Sequence, residues 1–352
     1  MDRFINHIKK HIEIYISLII ALALAILAYL WVPKQGYDLY QYYNWLEKLR
    51  TFNTKDVIGF FKLRGEPVIM LYFYIIAKIG NFQLLQVLPT FLFYFIALFM
   101  LVDYAKSRKI SYSKVTFVGM LLFSLCEYVY IAGCFRYTLA FIIFALALYL
   151  ENIKGKNNKW IWILYVLPCL IHTATFILLA FRILSSIKNK KLIIAVMSAI
   201  IIVMVFPKII VLPISYISIE GLNRITMKII MYFNKWQIPL NLQYIYRIAQ
   251  TLFLIFTSIY FDIINKENNI FKKYNKYLYI IVIFTILCIP YHTLFFRFND
   301  LLLILMLEKI MELFNSFKYK KEKYFFFIVF ISFMVAGIRI QIPVFKQMYF
   351  GN

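Results

Sequence analysis

A few charged residues stand out because they fall at the edges of apolar runs, where a charge is expensive. Glu66-Pro67 opens a short apolar segment. Gly133-Cys134-Phe135-Arg136 forms a tight turn between two apolar runs, and His172 sits inside Cys169-Leu170-Ile171-His172-Thr173-Ala174-Thr175. Arg297 heads a run after His292-Thr293-Leu294-Phe295-Phe296, and Arg224 lies in a more polar stretch between residues 214 and 243. Guanidinium groups present several N–H donors in a planar fork and hold their charge at any accessible pH, so Arg136, Arg224 and Arg297 together suit an anionic diphosphate better than any one of them alone. Each residue also has a plainer reading. Arg136 reaches the headgroups by snorkelling or pairs with Glu127 two and a half turns earlier. His172 bonds to a neighbouring helix. Arg297 pairs with Asp300, three residues on along the same helical face. A carboxylate at a helix N-terminus, as at Glu66, is favoured by the dipole whatever its task.

Upstream, Gly36-Tyr37-Asp38-Leu39-Tyr40-Gln41-Tyr42-Tyr43-Asn44-Trp45-Leu46-Glu47 puts Asp38, Tyr42, Trp45 and Leu49 on one face of a helix. Such a helix lies at the membrane interface. It serves either as an aromatic belt at the headgroups or as one wall of a sugar groove, with Asp38 and the Tyr hydroxyls as the polar contacts.

The elements that must position these groups are membrane helices. Of 352 residues, 63% are hydrophobic and 16% charged, a balance that calls for lipid as solvent. About 20 apolar residues cover a hydrocarbon core of roughly 30 Å. Spans of that kind are expected from Ile12 to Val32, Leu84 to Val102, Val115 to Ala132, Arg136 to Leu150, Leu192 to Pro213, Tyr244 to Ile263, Tyr277 to Tyr291, Arg297 to Phe314 and Tyr324 to Ile342. The expected fold is therefore an all-α polytopic bundle of about nine full spans. Two awkward segments, Pro67 to Gly80 and Trp160 to Ile183, read as re-entrant or broken. The chain is expected to form one integral membrane domain over residues 1–352, with outer loops at 33–66 and 214–243.

The net charge of +23 does not point to nucleic acid, because Lys and Arg fall in short linkers instead of one basic face. Those linkers, at residues 1–11, 103–114, 151–159, 182–191, 264–276 and 315–323, belong in the cytoplasm by the positive-inside rule, and the N-terminus goes with them. The first apolar segment is too long for a signal-peptide core and has no small-residue cleavage pattern, so it counts as a span. Cys126, Cys134, Cys169 and Cys288 lie in apolar segments without metal-ligand spacing and are assigned no chemistry. No nucleotide-binding loop, metal-binding carboxylate pair, HExxH or GxSxG occurs, which argues against ATPases, zincins and serine hydrolases.

The order of motifs resembles the EpsG-type, or Wzy-like, polysaccharide polymerases. It consists of an Asp-Tyr helix, Glu-Pro before a short apolar segment, Arg at the head of a span, and His-Thr-Ala about 36 residues later. Asp38 and Tyr42 match the first outer loop, Glu66 the Glu-Pro site, Arg136 the intramembrane arginine, His172 the histidine and Arg297 the late arginine. Arg224 matches more loosely. Tyr137 departs from the Gln that often follows the intramembrane Arg in that family.

The resemblance implies a bacterial cytoplasmic-membrane glycosyltransferase that needs no metal or other cofactor. Its substrate would be undecaprenyl-diphosphate-linked oligosaccharide repeats, built into a surface polysaccharide such as O-antigen, capsule or exopolysaccharide, with room for a chain-length regulator as partner beside membrane lipid. Under it Arg136 and Arg297 stabilise the leaving diphosphate, His172 or Glu66 acts as base, and Asp38, Tyr42 and Arg224 bind substrate. Two competing readings keep the same residues in other roles: a flippase for lipid-linked sugars, and a membrane O-acyltransferase with His172 facing a cytoplasmic donor.

Overall fold

The computed structural model describes residues 2–35, 37–53, 55–56, 59, 66–205, 241–266, 271–317 and 319–349. Among these every regular element is helical. The solvent dictates this, since backbone N–H and C=O groups find no water in hydrocarbon and must be satisfied within each helix. Five of the described helical stretches are long and apolar enough to cross a membrane: Ile12–Leu30, Leu84–Arg108, Phe135–Ile153, Leu242–Ile264 and Lys320–Tyr349. The chain is an all-α, multi-pass membrane protein.

The described residues form two compact units, 1–179 with 304–352 and 180–303. In chain order the first holds α1 (Asp2–Leu30), α2 (Asp38–Thr51), α3 (Pro67–Ile79), α4 (Leu84–Arg108), α5 (Tyr112–Leu125), α6 (Tyr128–Gly133) and α7 (Phe135–Leu148). A π-helical turn at Tyr149–Ile153 prolongs α7, and α8 (Lys159–Ile171) follows. Past the 3-10 turn at Thr173–Thr175, α9 (Phe176–Ser186) leads into the second unit, which holds α10 (Lys190–Val205), α11 (Leu242–Ile264) and α12 (Lys272–Leu287). Helix α13 (His292–Ser316) begins there and returns to the first unit, and α14 (Lys320–Tyr349) closes the chain.

Polar contacts set the directions of the first unit. Gln86 Nε2 donates to the carbonyls of Ala28 and Trp31, both at 3.0 Å, whereas Lys106 Nζ meets Glu13 Oε2 at 2.8 Å. Helices α1 and α4 are therefore antiparallel. Tyr149 Oη and Lys154 Nζ both reach Asp103 Oδ2, at 2.6 and 2.8 Å, so α7 runs parallel to α4. Tyr165 Oη donates to Glu151 Oε2 at 2.5 Å and the Tyr165 ring packs on Phe144, which makes α8 antiparallel to α7. The basic linkers 103–114 and 151–159 thus share one end of this unit with Glu13. The start of α7 and the close of α8 lie at the other end, with Trp31.

Glycine brings the helices together there, because a Cβ on Gly133 would stand 3.0 Å from the Trp31 ring. Helix α3 lies at this same end throughout: Glu66 at its start meets Arg136, and Asn81 just past its close donates to Tyr29 Oη at 2.9 Å. Its 13 residues extend about 20 Å, short of a hydrocarbon core. Pro67 at its first turn and Gly80 in the left-handed conformation (φ +82°) delimit it.

One span expectation changes. The run Val115 to Ala132 is not one helix but α5 and α6, separated at Cys126-Glu127, where the backbone is extended. Gln341 of α14 closes the gap: its Nε2 donates to Ser124 O at 2.8 Å and its Oε1 accepts from Tyr128 N at 3.3 Å. The run Trp160 to Ile183 is broken as expected, at His172, while Pro168 stays within α8. Of Leu192 to Pro213, residues 206–213 lie outside the described residues, as do residues 214–240 of the expected outer loop.

Candidate functional site

The helix break in the first unit creates the site. His172 leaves the helical path (φ −147°, ψ 114°), which frees backbone groups that need new partners. Its own N–H still donates to Pro168 O at 2.8 Å, and its carbonyl accepts from Thr175 N and Thr175 Oγ1 at 2.9 and 2.7 Å. The next N–H, that of Thr173, is taken up by a side chain 107 positions away: Glu66 Oε1 accepts from it at 3.0 Å and from Thr173 Oγ1 at 3.1 Å. The second oxygen of the same carboxylate, Oε2, pairs with Arg136 Nη1 at 2.7 Å. His172 Nδ1 stands 3.5 Å from Glu66 Oε1.

Glu66 is therefore the hub of the cluster. Its side chain is 3% exposed, against 10% for His172 and 25% for Arg136, so the arginine is the member that opens most to the outside. Burial alone would push the Glu66 carboxyl up. His172, Arg136 and the Thr173 N–H outweigh it and hold the group at about 2, well below the usual carboxylate range. A carboxylate that binds protons so weakly is a poor general base near neutral pH. It serves better to orient His172 and Arg136.

Aromatic rings fix the far side of Arg136. Its Cζ lies 5.1 Å from the centroid of the Tyr42 ring, a cation–π contact. Tyr42 in turn packs on Phe73 and Phe135, each at 5.5 Å, and on Trp45 at 5.2 Å. Helix α2 is held over this end by Tyr43 Oη, which donates to Gln86 Oε1 at 3.0 Å. Its inward face is Leu39, Tyr42, Leu46 and Leu49, not the expected Asp38, Tyr42, Trp45 and Leu49. Asp38 is exposed at the first turn of α2, one turn before Tyr42.

The structure thus brings Glu66, Arg136, His172 and Tyr42 into one cluster and adds Thr173, to which the sequence alone assigns no role. The expected Arg136–Glu127 pair gives way to Arg136–Glu66. Arg224 lies outside the described residues. Arg297 sits half-buried near the start of α13, in the second unit. Its expected partner Asp300 is engaged by another helix: Arg247 Nη1 of α11 meets Asp300 Oδ1 at 3.1 Å, with both residues buried. Arg247 was not singled out from the sequence, although an arginine within the apolar run Leu242–Ile264 was the available signal. Among the described residues no group of three or more His, Cys, Asp or Glu is arranged to hold a metal ion.

No curated protein and no solved structure matches the chain. A family model does, over residues 14–347, and the stretch it covers includes every member of the cluster. The chain belongs to the EpsG family and is a multi-pass membrane protein of polysaccharide biosynthesis.

Proposed function

We propose that the protein is a polysaccharide polymerase of the bacterial cytoplasmic membrane, joining oligosaccharide repeats carried on undecaprenyl diphosphate at the outer face. The observation that carries this reading is the Glu66 hub, which places a guanidinium and an imidazole beside one another at the end of the first unit opposite its basic linkers. Those linkers belong in the cytoplasm by the positive-inside rule, so the cluster faces outward and the N-terminus inward.

In the reaction the bond between the anomeric carbon of the donor chain and the diphosphate oxygen breaks. A bond from that carbon to a hydroxyl oxygen of the acceptor repeat forms. The hydroxyl proton goes to the His172 imidazole, and the bonding electron pair leaves with the diphosphate. Arg136 stabilises the growing negative charge with N–H groups other than the one engaged by Glu66, in a setting drier than bulk water. Glu66 and Thr173 set the position of His172 and Arg136, and Tyr42 holds the guanidinium from the opposite side. Asp38 contributes polar contacts to the sugars, Arg297 assists with the leaving group, and Arg224 binds substrate.

The test is complementation of a deletion strain. Wild-type protein restores long polymer, whereas Arg136→Ala and His172→Ala leave single repeats on lipid at the outer face. Full-length polymer from both variants would defeat the reading, and repeats stranded on the inner face would transfer it to a flippase.

A further inference from the structure

In the second unit, α11 and α13 meet along a polar seam unusual for a pair of apolar helices. Arg247 has no exposed surface at all, and Asp300 is 3% exposed. Arg247 Nη1 bonds to Asp300 Oδ1 and to Gln250 Oε1, both at 3.1 Å. Thr251 Oγ1 donates to Asn299 Oδ1 at 2.6 Å, and the Arg247 guanidinium lies 5.4 Å from the Phe296 ring centroid. Helix α13 is thus gripped at Phe296, Asn299 and Asp300. Arg297 stands between those positions in the chain and is half-buried. A helix held at three places within five residues can neither slide nor rotate there, so the Cα of Arg297 is fixed.

Arg247 is too deeply enclosed to meet a substrate. We infer that Arg247 and Asp300 are positioning residues that hold α13 in register on α11 so that Arg297 is presented to the leaving diphosphate. This rests on the role given to Arg297 in glycosyl transfer. A misplacement of about 1 Å in a group acting on the transition state lowers rate by roughly 100-fold, whereas a hydrophobic pair of similar volume often replaces a buried ion pair without loss of stability.

The experiment measures kcat and KM for purified lipid-linked repeats with four proteins: wild type, Arg247→Met with Asp300→Leu, Arg297→Ala, and the three changes combined. The expected result is a folded apolar pair whose kcat falls at least tenfold at unchanged KM. In the Arg297→Ala background the same pair should add less than about twofold, since it acts only through Arg297. Wild-type kcat in the apolar pair, or losses that multiply in the combined variant, would overturn the inference. If the apolar pair is not recovered folded, Asp300→Glu is read in its place against the same two outcomes. Wild-type kcat in Arg297→Ala alone would instead remove the role of Arg297, which separates that failure from failure of the positioning pair.

Discussion

Replacing Glu66 by Gln keeps the length of the side chain and one oxygen for Thr173, but removes the charge that faces Arg136 and His172. The lowering of the Glu66 carboxyl from 4.5 to about 2 corresponds to about 3 kcal/mol of preference of the folded protein for the carboxylate. Because Arg136 is 25% exposed, solvent recovers part of its charge once the partner is gone, so the expected destabilisation is about 2 to 3 kcal/mol, short of the 3 to 5 of a fully buried pair. The sign of the pH dependence follows from the direction of the shift. A depressed carboxyl adds its full stability above about 4.5 and loses it as pH falls toward about 2. Unfolding of wild type and Glu66→Gln, followed in detergent from pH 7 down to pH 3, should show a gap that narrows as pH falls below about 4.5 toward 3. Polymerisation by Glu66→Gln should drop at least about tenfold, the scale of losing a properly oriented acid-base group. A variant as stable as wild type at pH 7, or a gap that does not change down to pH 3, would refute the Glu66 hub.

Other perturbations probe the frame around it. Gly133→Val drives a branched side chain into the Trp31 ring and should cost about 1 to 3 kcal/mol in thermal unfolding, with activity falling as the start of α7 shifts. Gln341→Leu leaves Ser124 O and Tyr128 N at the α5–α6 break without their partner and should cost about 1 to 3 kcal/mol for each group not reached by water, read as a lowered unfolding midpoint. Single cysteines placed at Lys156 and at Asp38, in a chain cleared of its four native ones, should label from the cytoplasmic and the outer side respectively; labelling of both from one side would contradict the topology.

The helices were legible because hydropathy over about 20 residues is a strong signal and lipid leaves the backbone few alternatives. The shortness of the helix at Pro67–Ile79 was legible from Pro67 and Gly80, which delimit it. The break at Cys126-Glu127 was not foreseen, since both residues sit amid apolar neighbours and the side chain that closes the gap, Gln341, comes more than 200 positions later. The members of the site were visible one by one, as charges and a histidine in costly places. Their convergence was not, because Glu66 meets Arg136 and Thr173 across 70 and 107 positions. Partners distant in sequence stayed hidden: Arg136 has Glu127 as a near neighbour but pairs with Glu66, and Asp300 takes a bond from Arg247 of another helix. Thr173 carries a signal in hindsight, as the residue after a helix break exposes an N–H that must find an acceptor.

Extension of purified lipid-linked repeats by the purified protein is the most direct measurement. Wild type should convert single repeats into a ladder of longer chains and release undecaprenyl diphosphate in step with each addition. Arg136→Ala and His172→Ala, folded as well as wild type, should slow that release by at least about 100-fold, the scale of removing a transition-state donor or an acid-base group. A wild-type rate of chain growth in either folded variant would contradict the account.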